Sequence, residues 1–286
     1  MKRVALATDA FGREQDAQLP VLVAALRARG IDAVAVDWDD AGFDWAAQDA
    51  VVIRSTWQYT DGLPEFLAWA DRVGAVTSLH SPAEVVRWNS DKTYLAELAA
   101  HGVPTVPTRF IAPGDAVRLP EDGEIVVKPS VSAGARNSAR YTLAQRDAAE
   151  AHVRLLHEGG ETAMVQPYME RIVDGERALV FLGGRFSHAM RKGPVLNDTG
   201  RIDNARVPHP DLVRHVPDAV ERAVAAAALA TVAVPAGGPL LYARVDLALA
   251  GDGSPVVMEL ELIEPNLFLT EAEGGVERFV EAVARL

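Results

Sequence analysis

Two short apolar segments near the C-terminus carry charged residues at alternate positions, and this pairing restricts the folds open to the chain more than any other feature. The first reads Tyr242-Ala-Arg-Val-Asp246 and the second Val256-Val-Met-Glu259-Leu-Glu261-Leu. Residues two apart in a strand share a face, so Arg244 lies beside Asp246, and Glu259 beside Glu261. The connecting Leu249-Ala-Gly-Asp-Gly-Ser-Pro255 is rich in turn residues and predicts a hairpin. Alternating charges on a hairpin are commonly its solvated face. Here Leu240, Leu241, Val245, Leu247, Val256, Val257, Met258, Leu260 and Leu262 make both strands apolar enough for the interior. Interior carboxylates need partners. Three of them meeting on one surface with one guanidinium call for cations, and hard oxygen donors of this kind suit Mg²⁺, above all when phosphates complete its shell.

The rest of the chain is read around that hairpin. Its 286 residues, 49% hydrophobic, allow two or three small domains. We divide them at 1–80, 81–170 and 171–286. The first part alternates strand and helix: strands at 4–7, 31–36 and 49–53, helices at 19–29 and 64–73. That order predicts a parallel sheet with crossover helices. Asp9 and Arg54 to Tyr59 then fall just past strand ends, where open α/β sheets bind ligands. Asn89-Ser-Asp-Lys92 reads as the opening of a helix, with Asn89 or Ser90 as its N-cap. Strands follow at 125–129 and 163–169, with a helix from Leu143 to Glu158 between them. A hairpin then turns at Gly183-Gly184. The polar stretch Gly193 to Val216 is expected to be partly mobile, and helices are expected at 219–233 and 275–286. The fold class is α/β, becoming α+β after the first part.

Several classes are excluded. A net charge of −12 argues against a general nucleic-acid surface. The absence of cysteine removes disulfides, thiol catalysis and thiolate metal sites, and suits a cytoplasmic location. No run approaches the roughly 20 apolar residues needed to span a bilayer, and the apolar start is too short for a signal peptide. A Walker A loop, Gly-x-Gly-x-x-Gly, Gly-x-Ser-x-Gly and His-Glu-x-x-His are all missing.

Among single residues, Lys128 ends an apolar strand and faces Ser130-Val-Ser132-Ala133-Gly134-Ala-Arg136, small residues whose N–H groups cradle anions. Lys92 starts a helix, a poor place for a cation unless an anion binds nearby. Gln166-Pro167-Tyr168-Met169 ends a strand and exposes backbone groups suited to a base edge. Glu176, after Gly175, suits ribose hydroxyls. Arg54 is a candidate for bidentate recognition of a substrate carboxylate, with Thr56, Trp57 and Tyr59 shaping the same pocket and Asn266 at its far end. His188 lies mid-strand and reads as structural.

The order of these elements (lysine, strand lysine with a small-residue loop, strand end, acid, Arg-x-Asp, Glu-x-Glu) resembles the ATP-grasp superfamily from about Ser81 to Leu286. The resemblance implies that Lys92 and Lys128 hold the α- and β-phosphates of ATP and that Ser130 to Arg136 closes over them. It gives adenine to Gln166–Met169, ribose to Glu176, and the γ-phosphate to Arg244, with Lys192 or Arg191 as a further phosphate contact. Asp246, Glu259 and Glu261 become ligands of Mg²⁺, with Mn²⁺ as an alternative ion. At the last position the family usually has Asn. A narrower resemblance rests on Val52-Ile-Arg-Ser-Thr-Trp-Gln-Tyr59, Glu84-Val-Val-Arg-Trp-Asn-Ser-Asp-Lys92, Val127-Lys-Pro-Ser-Val-Ser-Ala-Gly-Ala135 and Glu259-Leu-Glu-Leu-Ile-Glu-Pro265. These are similar to the ATP-grasp group that includes cycloserine synthetase, the O-ureido-D-serine cyclo-ligase. The implied activity is ATP-dependent activation of a small carboxylate as an acyl phosphate, then ring closure by an internal nitrogen, in a homo-oligomer. The alternatives are a ligase joining a carboxylate to a separate amine, and a non-catalytic ATP-binding scaffold.

Overall fold

The structure is a computed structural model and describes residues 1–196, 198–202, 204, 211–235 and 237–286. The chain opens with β1 (Arg3–Thr8), α1 (Ala10–Gln15), α2 (Gln18–Ala28), β2 (Asp32–Asp37), β3 (Ala50–Ser55), α3 (Leu63–Gly74) and β4 (Ser78–His80). The strands form one parallel sheet in the order β2-β1-β3-β4. β3 is buried throughout and β1 from Val4 onward, as expected where helices cover both faces. α3 shows why it docks: Phe66, Trp69, Ala70 and Val73 recur at helical spacing and are all buried, and Pro64 sits in its first turn.

Two short helices, α4 (Ala83–Asn89) and α5 (Tyr94–Ala100), lead into a second sheet. It comprises β5 (Arg109–Ile111), β6 (Ile125–Pro129), β7 (Ala139–Tyr141) and β8 (Ala163–Pro167), antiparallel in the order β5-β8-β6-β7. α6 (Arg146–Glu158) packs Ala149, Val153 and Leu156 into its core. The third sheet is built from β9 (Glu176–Leu182), β10 (Arg185–Lys192), β11 (Val213–His215), β12 (Tyr242–Leu249) and β13 (Pro255–Glu261), with α7 (Ala219–Ala230) and α8 (Gly275–Ala284) alongside. Its order is β11-β10-β9-β12-β13. Gly183 and Gly184 both have positive φ, the geometry that a two-residue hairpin turn demands.

The apolar cores are unequally shared. One cluster joins Val4, Leu6 and Leu22 of the first sheet layer to Val180, Leu182, Tyr242 and Phe279 of the third. The second sheet has a cluster behind α6, formed by residues such as Ile111, Val127, Tyr141 and Val153, while Met164 of β8 and Phe110 of β5 pack into the core of the third sheet.

Three expectations are corrected. Asn89 ends α4 instead of capping the next helix, because Ala83 to Trp88 is itself helical after Pro82 and the amide is taken up elsewhere. Leu143–Gln145 is a 3₁₀ turn with a Thr142/Gln145 capping box, so α6 begins at Arg146. Within the polar stretch expected to be mobile, Val213–His215 pairs with β10 as a strand, while residues 197, 203 and 205–210 lie outside the described residues. Among the described residues no helix is long and apolar enough to cross a membrane.

Candidate active site

The hairpin register places Arg244 opposite Glu261 and Asp246 opposite Glu259. On the other side β12 pairs with β9, which brings in Glu176 and, one strand further, Lys192. The Lys192 ammonium donates to Asp246 Oδ2 at 2.6 Å and pairs with Glu176. Arg244 grips Asp246 bidentately, Nε to Oδ1 and Nη2 to Oδ2, each at 2.9 Å. It also pairs with Glu261, donates from Nη1 to the Asn266 carbonyl at 3.0 Å, and lies 5.5 Å from the Phe268 ring centroid. Asp246 is 1% exposed and both its oxygens are engaged, whereas the Glu259 and Glu261 side chains are 26% and 25% exposed.

These contacts set the charges. Burial works against the Asp246 carboxylate, but Arg244 and Lys192 together hold it well below the usual carboxylate range. Glu259 is also buried against its charge, yet Lys92 and Lys128 keep it below its ordinary value. Burial wins at Glu176 and Glu261, both pushed up to about 7.

Both lysines reach this cluster from the far side. Lys92, in the turn between α4 and α5, lies 3.1 Å from Glu259 and donates to the Ser132 carbonyl at 2.5 Å. Its own N–H donates to the Ser130 carbonyl at 2.9 Å. Lys128 comes from β6. Burial lowers its ammonium pKa, with Glu259 opposing and Lys92 reinforcing the shift. Among the described residues Lys128 makes no side-chain hydrogen bond or ion pair. The small-residue loop runs past both, with Ser130 buried and Gly134 exposed. Its last residue, Arg136, forms a double contact with Asp61 of the first sheet layer, at 2.6 and 3.3 Å.

At the far end of β8 the expected adenine segment is partly committed to the fold. Gln166 donates to the Thr108 hydroxyl at 2.8 Å, and the Tyr168 N–H to the Glu124 carbonyl at 2.7 Å. Arg140 lies 3.5 Å over the Tyr168 ring. What remains open is apolar. Met169 packs with Ile172, Ala250 and Met258 around Val106, Ala248 and Val256, a floor suited to a flat ring. Met258 and Ile172 were not singled out from sequence, although Met258 directly precedes Glu259. Arg191 lies against Gly175, where any added Cβ would fall 2.5 Å from its side chain; Lys192 is the basic residue that meets the acids.

Of the residues expected to bind substrate, Arg54, Trp57 and Asn266 link two parts of the molecule. Arg54 is 1% exposed, donates to the Pro265 carbonyl at 2.7 Å and to Gln18 Oε1 at 3.2 Å, and lies 3.7 Å from Asp16. Its donors face inward because β3 is interior on both faces. Trp57 Nε1 donates to the Glu264 carbonyl at 3.1 Å. Tyr59 is core, its ring 4.9 Å from that of Phe66. Thr56 is buried, and among the described residues its hydroxyl is without a hydrogen-bond partner. Asn266 Oδ1 accepts from Gln18 and from the Phe268 N–H. Tyr242 OH donates to the carbonyls of Ile53 and Ile263, and Ser81 to that of Leu262. Arg54, Trp57, Asn266, Tyr242 and Ser81 tie the first sheet layer to the chain leaving β13. His188 is structural, as expected, with Nε2 2.7 Å from the Leu267 carbonyl.

Comparison with known proteins places this architecture. The N-terminal domain model of D-cycloserine synthetase DcsG matches residues 4–81. The cycloserine biosynthesis protein DcsG of Streptomyces lavendulae is 44% identical over 98% of this chain and 97% of its own. The chain belongs to the D-cycloserine synthetase family. The crystal structure of D-cycloserine synthetase DcsG superposes with a TM-score of 0.89 at 40% identity, covering 99% of both chains. The RimK domain ATP-grasp protein of Sphaerobacter thermophilus, at 17% identity and TM-score 0.67 over 99% of both chains, shares the fold.

Members of this family with the ATP-grasp fold are ATP-dependent C–N ligases, and the donor set here can be tested against a divalent cation. Among the described residues no three His, Asp or Glu side chains form a ready metal cage, because each acid of the hairpin leans on a cation of the protein. Mg²⁺ does not need such a cage. It binds through one or two carboxylates and completes its shell with phosphates and water. Glu259 and Glu261, the two acids that reach the cleft, fit that requirement. Asp246, expected with them as a ligand, is more deeply buried and has both oxygens on Arg244 and Lys192.

Proposed function

We propose that this protein is an ATP-dependent cyclo-ligase that closes O-ureido-D-serine to D-cycloserine with release of ADP and phosphate. The observation that carries this reading is the convergence of Lys92, Lys192 and Arg244 on the acids of one buried hairpin, with Lys128 beside them and unpaired. An unpaired, partly desolvated ammonium at the mouth of an acidic cluster is a phosphate binder waiting for its counter-charge.

In this reading Lys128 and Lys92 hold the α- and β-phosphates, and the Met169, Ile172 and Met258 floor carries the base. Glu259 and Glu261 hold Mg²⁺, or Mn²⁺ in its place, which supplies charge neutralisation at the phosphates. Arg244 already makes four contacts and keeps one Nη1 N–H for the transferring phosphoryl group, where fixed positive charge is most effective. Asp246 sets the orientation of Arg244 and Lys192. The substrate carboxylate attacks the γ-phosphorus, ADP leaves, and an acyl phosphate results. The nitrogen bonded to the side-chain oxygen then attacks the acyl carbon, phosphate leaves, and the ring closes. Hydrolytic loss of the carbamoyl group from that nitrogen completes the product. The 130–136 loop keeps water from the acyl phosphate in the meantime.

Incubation with O-ureido-D-serine, ATP and Mg²⁺ tests the reading. ADP release that depends on the amino acid, with the ring product detected by mass, is expected. ADP release that requires an added amine would replace the cyclo-ligase by an intermolecular ligase.

A further inference from the structure

Five acids gather around the hairpin, and four of them have a cation. Asp246 has Arg244 and Lys192, Glu261 has Arg244, Glu176 has Lys192, and Glu259 has Lys92. The fifth is Glu264. Its carboxylate is half-buried and meets the N–H of its own backbone, but among the described residues it makes no ion pair and no hydrogen bond to another residue. We infer that Glu264 receives the α-ammonium of the amino-acid substrate, so that the enzyme requires an amino acid where a plain carboxylic acid would otherwise fit.

The backbone here is unusually well fixed for a segment outside regular structure. The Glu264 carbonyl accepts from Trp57, and the next carbonyl, of Pro265, accepts from Arg54. Asn266 is bonded to Gln18 and Arg244. Three successive residues are thus clamped by the first sheet layer and by the site arginine, and this presents one carboxylate at a defined place. The clamp also gives Arg54 and Trp57 a part in substrate recognition without touching substrate.

Glu264 follows Glu261 by three residues, a reach of at most about 10 Å in extended chain. An amino acid whose carboxylate is phosphorylated beside Arg244 carries its ammonium on the adjacent carbon, within that reach. The electrostatics fit such a ligand. Burial, and then the neighbouring charge of Glu261, push Glu264 up to about 8, with Lys92 only a partial counterweight. An isolated acid in that setting is costly to ionise, and an arriving ammonium removes the cost. The pattern mirrors Lys128, which among the described residues also has no ion pair: one positive group for phosphate, one negative group for the amine.

The inference rests on the amino-acid ligase reading above, and the experiment separates the two. ADP release is measured for the full-length enzyme and for Glu264→Gln, with O-ureido-D-serine and with its deamino analogue, 3-(ureidooxy)propanoate. Loss of one charge-assisted contact is expected to raise the KM for O-ureido-D-serine about ten- to hundredfold in the variant. The KM for ATP should stay unchanged, and Glu264→Asp should fall between the two. The analogue should be equally poor with both enzymes. A variant whose KM for O-ureido-D-serine is unchanged, or one that weakens the analogue as much, overturns the inference. If the unmodified enzyme does not turn over O-ureido-D-serine, the cyclo-ligase reading fails, and calorimetry decides the ammonium site alone. With ADP and Mg²⁺ present, D-serine should then bind more tightly than 3-hydroxypropanoate to the unmodified protein and no more tightly to Glu264→Gln. Equal binding of the two by the unmodified protein overturns the inference.

Discussion

Asn89→Ala is the most informative single change outside the charged cluster. The buried Asn89 amide works as a short extra strand along the open edge of β13: Nδ2 donates to the Leu260 carbonyl at 2.7 Å, and Oδ1 accepts from the Leu262 N–H at 2.8 Å. Tyr94 OH also meets Leu260, with its carbonyl and N–H both at 2.9 Å. The substitution therefore leaves the Leu260 carbonyl with one partner and the Leu262 N–H with none. An orphaned buried donor costs roughly 1–3 kcal/mol, and the lost second bond about 0.5–1.5 kcal/mol. About 3 kcal/mol in total, divided by an m-value of about 3 kcal/mol/M, moves the urea midpoint down by about 1 M. Leu260 lies between Glu259 and Glu261, so turnover should fall as well, by tenfold or more if the strand drifts by a fraction of an ångström. Denaturation followed by tryptophan fluorescence and by circular dichroism tests the stability claim, and ADP release tests the other. A midpoint within about 0.2 M of the unmodified protein, at unchanged slope, refutes the role given to this amide.

Four further outcomes are expected. Glu259→Gln should lower ligase kcat by about 10²- to 10³-fold, with the folded far-ultraviolet spectrum kept. Lys128→Met should raise the KM for ATP roughly ten- to hundredfold in the ADP-release assay while leaving the KM for the amino acid almost unchanged. Asp61→Asn removes an exposed partner of Arg136, a contact worth at most about 1 kcal/mol; trypsin cleavage after Arg136 should accelerate several-fold and be suppressed by ATP with Mg²⁺. Glu264→Gln should change the pH dependence of stability. The carboxyl is raised from 4.5 to about 8 in the folded protein, so its contribution is fully present below 4.5 and is lost as pH rises through 8. Thermal melts without nucleotide should show Gln gaining on Glu between those limits, with no gain at pH 4.

The acidic hairpin was legible because alternation and apolar flanks act within a few residues: Arg244, Asp246, Glu259 and Glu261 pair in the register their spacing predicts. The parallel sheet was legible for the same reason. Asn89 was misread because a polar triplet after a short helix looks like the start of another, and its true partners lie more than 170 residues away. Arg54 looked like a substrate clamp because it ends a strand where open sheets bind ligands; its partner carbonyl, Pro265, is 211 residues distant. Glu264 was written into a motif without a task, since nothing local says that an acid lacks a cation. The apolar floor of Met258 and Ile172 is formed by three separate segments, and only the folded chain brings them together.

The unequal sharing of the cores has a mechanical consequence. The first and third sheets are fused by common apolar contacts and stitched by Tyr242, Ser81, Arg54 and Trp57, so they travel as a single anvil. The second sheet has an interior behind α6 and meets that body through a smaller apolar contact at Met164 and Phe110. It carries Lys128 and the small-residue loop, whereas Glu259, Glu261 and Glu264 lie on one short continuous segment, so the phosphate lysine and the acids it faces belong to different sheets.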